Sequence, residues 1–175
     1  MQEYIISNPT NQNTTAAPRI RGSIEISSLT ATHAPTGAIE IAAPNHKCDK
    51  DVKRLANEYP KIIPEDEKQM RFVLALTERN IREETGGPFG AAVFERDSGK
   101  LVSVGVNVVV RQNCSAAHAE MMALMLAQKE LGHFDLGAER FPEHRLVTSG
   151  KMCAMCLGNV CWSGVSEVLS SAEPE

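Results

Sequence analysis

Two short stretches of this chain are the best equipped for chemistry: His118-Ala119-Glu120 and, further on, Cys153-Ala154-Met155-Cys156. One imidazole and two thiolates make a good ligand set for Zn2+. Three protein ligands leave the fourth tetrahedral position open to water, the mark of catalytic rather than structural zinc. Such a water has a pKa of about 7, so hydroxide is available at neutral pH and the site then needs a proton carrier. Glu120 suits that task. Two residues beyond His118, it lies about 200° around an ideal helix from the ligand and is expected to face a substrate instead of the ion. Taken alone, neither stretch is decisive. A histidine at a helix start is more often a cap or a core hydrogen-bonder, and Cys-x-x-Cys serves redox dithiols and structural zinc equally well. Their combination carries the weight, with 32 residues (positions 121–152) between Glu120 and Cys153 and each stretch at an expected helix start.

The elements that must position these groups are legible in outline. Pro64 followed by Glu65, Asp66 and Glu67 predicts a helix start, because proline fits a first turn and carboxylates oppose the positive end of the dipole. Met70, Val73, Leu74 and Ile81 recur at helical spacing as its core face, and Gly86-Gly87 ends the run. Gly90 to Glu95 and Leu101 to Val110 read as an antiparallel strand pair, joined through Arg96-Asp97-Ser98-Gly99-Lys100. A helix follows from Ala117 to Leu131, with Met121, Met122, Met125 and Leu126 expected in the core. A strand at Arg145 to Thr148 leads to a helix from Cys153 to Ser163, and Val165 to Ser170 is a last strand. This order belongs to the α/β class, with a sheet that needs helices on both faces. Cysteines three apart in a first turn share one face, and the helix dipole favours their thiolates. Cys161 falls off that face and reads as a buried free thiol, whereas Cys114 reads as a packing residue, with pocket lining as the alternative.

Bulk composition narrows the partners. The 175 residues, 42% apolar, suffice for one domain with a substantial core. Residues 1–47, rich in Ser, Thr, Ala, Asn and Pro, read as a low-complexity extension, and 48–175 as the metal-binding domain, compact from about Tyr59. Two similar stretches, 22–28 and 37–43, read either as a small hairpin or as a chance likeness. A net charge of −4, from 18 basic and 22 acidic residues, gives no footprint for nucleic acid or an anionic membrane. Without a signal-peptide pattern or an apolar run of spanning length, the expected location is the cytoplasm.

From about Glu67 to Ala172 the chain resembles the cytidine deaminase-like superfamily, within it the bacterial guanine deaminase and nucleoside deaminase branch. The matching residues are Gly86-Gly87-Pro88-Phe89-Gly90-Ala91-Ala92-Val93, Asn107, Ala117-His118-Ala119-Glu120 and Cys153-Ala154-Met155-Cys156. The resemblance implies a three-layer α/β/α sandwich with a mixed sheet, commonly a homodimer. It implies hydrolytic removal of an amine from a free nucleobase, guanine to xanthine with release of ammonia. Glu120 would then pass a proton to a ring nitrogen and protonate the departing amine. In the substrate site, Phe89 would pack on the base, Asn107 would hydrogen-bond to it, and Ala117 would lie alongside. Read from residue type alone, Phe89 is a core aromatic and Asn107 a strand-end turn former. Two departures stand out. Lys151-Met152 replaces the usual Glu-Pro, removing a fixed φ before the first cysteine. Relatives also continue beyond the position of Glu175 with a segment that helps close the pocket. These departures leave a catalytically impaired zinc-binding relative, or a deaminase of cytosine or tRNA adenosine, as the alternatives.

Overall fold

The computed structural model describes residues 57–171 and, as backbone, one strand near the start of the chain. The paired stretches 22–28 and 37–43 lie outside the described residues. In chain order the elements are β1 (Gln2–Ile5), α1 (Asp66–Arg82), β2 (Gly90–Glu95), β3 (Leu101–Val106), a four-residue α2 (Val109–Gln112), α3 (Ala119–Leu131), β4 (His144–Thr148), α4 (Ala154–Ser163) and β5 (Glu167–Ser170). The sheet runs β1-β5-β4-β2-β3. β4 and β5 are parallel and the other neighbours antiparallel, so the sheet is mixed, as expected. β1 lies inside the segment read as an extension and covers the outer edge of β5, pairing Gln2 with Ser170 through Ile5 with Glu167.

Alternation along the central strands builds the two faces. On one face Ala92, Phe94, Val147 and Leu169 pack with Phe72, Val73 and Met70 of α1. On the other, Ala91, Val93, Leu146 and Val168 pack with Ala119, Ala123, Leu124 and Ala127 of α3 and Val160 of α4. From Gly90 to Phe94 and along all of β4 neither side reaches water, which gives three layers, α1 over the sheet over α3 and α4. Each buried Phe, Leu or Val contributes about 1.5–3 kcal/mol relative to exposure.

The helices turn a different side inward from the one that their apolar residues suggested. α1 buries Gln69, Met70, Phe72, Val73, Leu76 and Asn80, a stripe at three- and four-residue steps, while Leu74 and Ile81, expected in the core, are about half exposed. Each directly follows a residue of that stripe, which places it about 100° around the helix. α3 buries its alanines, Glu120 and Leu124. Met125 points to solvent, and Met121, Met122 and Leu126 are only partly covered. Small inward residues let α3 lie directly on β3: a Cβ on Gly105 would sit 2.2 Å from the Ala119 carbonyl oxygen. Methionines do not fit in so narrow a gap. β3 also stops at Val106, and α2 takes Val109 and Val110 out of the sheet. Cys161, expected to be buried, is exposed, as is Cys114.

A polar tie fixes α1 to the sheet. Arg145 on β4 forks onto Glu167 of β5 through Nε (2.8 Å) and Nη2 (3.0 Å), both side chains being about 10% exposed or less. Its Nη1 reaches Asp66, in the first turn of α1. Among the described residues no helix is long and apolar enough to cross a membrane.

Candidate metal and substrate site

His118 and Cys153 occupy equivalent places, each the N-cap of a helix. Both have extended backbones (φ −71°, ψ 157° and φ −74°, ψ 167°), and neither side chain caps its own helix. The ring and the sulfur are therefore free to point along the seam between α3 and α4. Cys156, one turn into α4, is fully buried and turns to the same place. His118 Nδ1 lies 3.7 Å from Cys153 Sγ and 3.6 Å from Cys156 Sγ, and the two sulfurs are 3.6 Å apart. A tetrahedral ion with metal–sulfur bonds of about 2.3 Å and a metal–nitrogen bond of about 2.0–2.1 Å requires sulfur–sulfur separations of about 3.8 Å and sulfur–nitrogen separations of about 3.6 Å. The donors are thus spaced for one ion of zinc's size. Among the described residues they form the one group of three His, Cys, Asp or Glu side chains so placed.

Glu120 does not turn away from this cluster. The 200° separation expected of an ideal helix does not apply, because His118 is outside the helix and extended. The carboxylate is 6% exposed, with Oε2 3.5 Å from Cys156 Sγ, while Oε1 accepts a hydrogen bond from the Thr148 hydroxyl at 3.2 Å. Thr148 was not singled out from the sequence. Its signal was the period-2 alternation of β4, which puts Thr148 on the same face as Leu146, toward α3.

The two thiols differ sharply without a cation. Burial, reinforced by the Glu120 carboxylate, drives the Cys156 thiol far above its ordinary pKa. Cys153 is pulled down, chiefly by a hydrogen bond from the Cys156 backbone N–H. An ion binding here must therefore displace a proton from Cys156. The turn into α4 lacks proline, but Met152 packs against the core beneath α3 and α4, anchoring the residue before Cys153 by burial.

Phe89 and Asn107 meet where β2 begins and β3 ends. Phe89 is 46% exposed, and its ring edge is what a Cβ on Gly150 would meet first, at 3.8 Å, so it is not a core aromatic. The Asn107 backbone N–H donates to Phe89 O (3.0 Å), and Asn107 Oδ1 accepts from Val109 N–H (3.3 Å), the local turn contact expected of a strand-end asparagine. Ala117 is buried in the α1-side core; its N–H bonds to Cys114 O and its carbonyl accepts from Val108 N–H. The structure keeps Ala117 next to His118 but gives its side chain to packing.

Known proteins match the fold and the stretch of chain that holds these residues. The family model for the cytidine and deoxycytidylate deaminase zinc-binding region matches residues 63–172. Guanine deaminase of Bacillus subtilis is 33% identical over 104 residues, 59% of this chain and 62% of that protein. A solved guanine deaminase from Nitrosomonas europaea is 43% identical with a TM-score of 0.67, covering 81% of this chain and 73% of the other. The protein NE0047, solved in complex with 2,6-diaminopurine, is 49% identical with a TM-score of 0.66, covering 69% and 63%. The chain thus spans less than two thirds of the length of the Bacillus protein and of NE0047. With the matched region running from just before α1 through β5 and taking in His118, Glu120, Cys153 and Cys156, the chain belongs to the cytidine and deoxycytidylate deaminase family, on its guanine deaminase branch.

Proposed function

We propose that the chain is a zinc-dependent aminohydrolase that converts guanine to xanthine and releases ammonia. The observation that carries this reading is the convergence of His118, Cys153 and Cys156 at tetrahedral spacing, with the Glu120 carboxylate beside them. When bound there, zinc would supply Lewis acidity that brings the pKa of a water to about 7. The chain's own residues do the rest. Glu120, held by the Thr148 hydroxyl, takes a proton from the attacking water and delivers it to a ring nitrogen, then takes the hydroxyl proton of the adduct and hands it to the departing amine as the oxo group forms. Phe89 offers an apolar face for a planar ring, and the Asn107 amide offers a donor and an acceptor to the base edge. The likeness to guanine deaminases and to a protein that binds 2,6-diaminopurine supports a purine over a pyrimidine.

The test is ammonia release from guanine by zinc-replete protein, with cytosine, adenine and tRNA as parallel substrates. Glu120→Gln should abolish release while the zinc content stays at one per chain. Zinc-replete wild-type protein that releases no ammonia from any of them would sink the enzymatic reading and leave a zinc-binding relative without turnover. Light scattering of the same preparation tests the homodimer that belongs to this reading.

A further inference from the structure

Asn80 lies in the last turn of α1, 2% exposed, on the stripe that otherwise carries Phe72, Val73 and Leu76. An apolar residue would pack there at no electrostatic cost, whereas a buried amide is costly unless it is hydrogen-bonded. Both ends of this one are used. Nδ2 donates to Gly87 O at 2.7 Å and to Asn107 O at 2.9 Å, and Oδ1 is met by the Thr85 hydroxyl, which also lies 3.1 Å from Asn80 O. The amide can sit only one way, because a flip would turn Oδ1 toward two carbonyl oxygens. The two carbonyls belong to the loop that carries Phe89 and to the strand end that carries Asn107. They approach so closely that a Cβ on Gly86 would stand 1.8 Å from Asn107 O.

We propose that Asn80 is a positioning residue: through Gly87 and Asn107 it fixes the gap between the Phe89 ring and the Asn107 amide, and so sets affinity for the base. The inference rests on the reading above, in which Phe89 and Asn107 contact the substrate. Asn80 itself touches neither the metal cluster nor Glu120, so its loss acts on binding and leaves the proton-transfer machinery in place. Contacts made equally in the ground and transition states raise KM when lost and leave kcat unchanged.

The experiment measures KM and kcat for guanine, zinc content and thermal midpoint in wild type, Asn80→Ala, Thr85→Val and Leu76→Ala. Asn80→Ala should raise KM by about 10- to 100-fold, with kcat and zinc content within about twofold of wild type. Thr85→Val, which frees Oδ1, should raise KM by a smaller factor, and it carries the test alone if Asn80→Ala does not fold. Leu76→Ala opens a cavity on the same helix face and removes no hydrogen bond to Gly87 or Asn107, so it should lower the thermal midpoint and leave KM unchanged. A KM unaltered in the folded Asn80 and Thr85 variants, or raised as much by Leu76→Ala, overturns the positioning role. Wild-type protein that does not turn over guanine overturns the function reading and this inference with it.

Discussion

Replacing Thr148 by valine removes one hydroxyl and almost no volume, which makes it a sharp test of how Glu120 is held. Thr148 is 1% exposed and its hydroxyl donates to Glu120 Oε1 at 3.2 Å. A hydrogen bond to a charged group contributes about 1.5–3 kcal/mol. The added methyl recovers about 0.8 kcal/mol by burial, so the net stability loss should be about 1–2 kcal/mol. For a chain of this length that is a thermal shift of about 2–8 °C. If the bond instead orients the carboxylate during proton transfer, the same 1.5–3 kcal/mol falls on the barrier, and kcat drops by about 10- to 150-fold. Only the second effect survives at saturating substrate, well below the midpoint. Steady-state ammonia release, paired with zinc analysis and circular dichroism, reads both effects. Thr148→Ser restores the donor and should recover most of kcat. Wild-type kcat in a zinc-replete Thr148→Val protein would show that the threonine only packs.

Two further outcomes test other links. Arg145→Met strands the Glu167 carboxylate in a 9% exposed position, so urea unfolding should show a loss of about 3–5 kcal/mol. Adding Glu167→Met should recover most of it, and a single-mutant cost below about 1 kcal/mol would refute the buried pair. Zinc binding should release a proton, because the metal-free Cys156 thiol is held protonated by burial and by Glu120. The bound state then carries fewer protons, so affinity should rise with pH across about 6 to 8, measured by chelator competition. A flat profile would mean that Cys156 is not a ligand.

The meeting of His118, Cys153 and Cys156 was readable from the chain because it rests on residue type and on short spacing within each stretch. The positions of β2, β4 and β5 were nearly as readable, since Gly90–Glu95, for one, is bounded by glycine and turn residues on both sides, whereas β3 stops short of Val110 and β1 fell in the segment read as an extension. What the chain hid was rotation. Apolar content suggested that Met125, Leu74 and Ile81 would turn inward, but Gly105 brings β3 so close to α3 that small residues fill the gap there, and on α1 the buried stripe runs one residue before Leu74 and Ile81. Glu120 was misaimed for a related reason. The 200° rule presumes that both residues are helical, and His118 is an extended N-cap. Asn80 and Thr148 stayed out of view because each works through a partner distant in sequence, Asn107 and Glu120 respectively, and a single chain gives no sign of such pairs. Cys161 was taken for a buried thiol on residue type, yet α4 buries only Cys156, Val160 and Ser163 and leaves its other apolar side chains outside or at the boundary.

The alternation of β4 has a consequence for how the chain finds its native pairing. Leu146 and Thr148 face α3, whereas Arg145 and Val147 face α1, so a slip of one residue against β2 would exchange the two sets. Thr148 would leave Glu120, and the Arg145 guanidinium would enter the apolar layer under α3 with Glu167 on the far side of the sheet. An unpaired charge in that layer costs several kcal/mol, far more than the shifted hydrophobic contacts could return. The Arg145–Glu167 fork therefore acts as a register key: it lies on the face away from His118, Cys153 and Cys156, yet it guards the alignment that holds Thr148 against the Glu120 carboxylate.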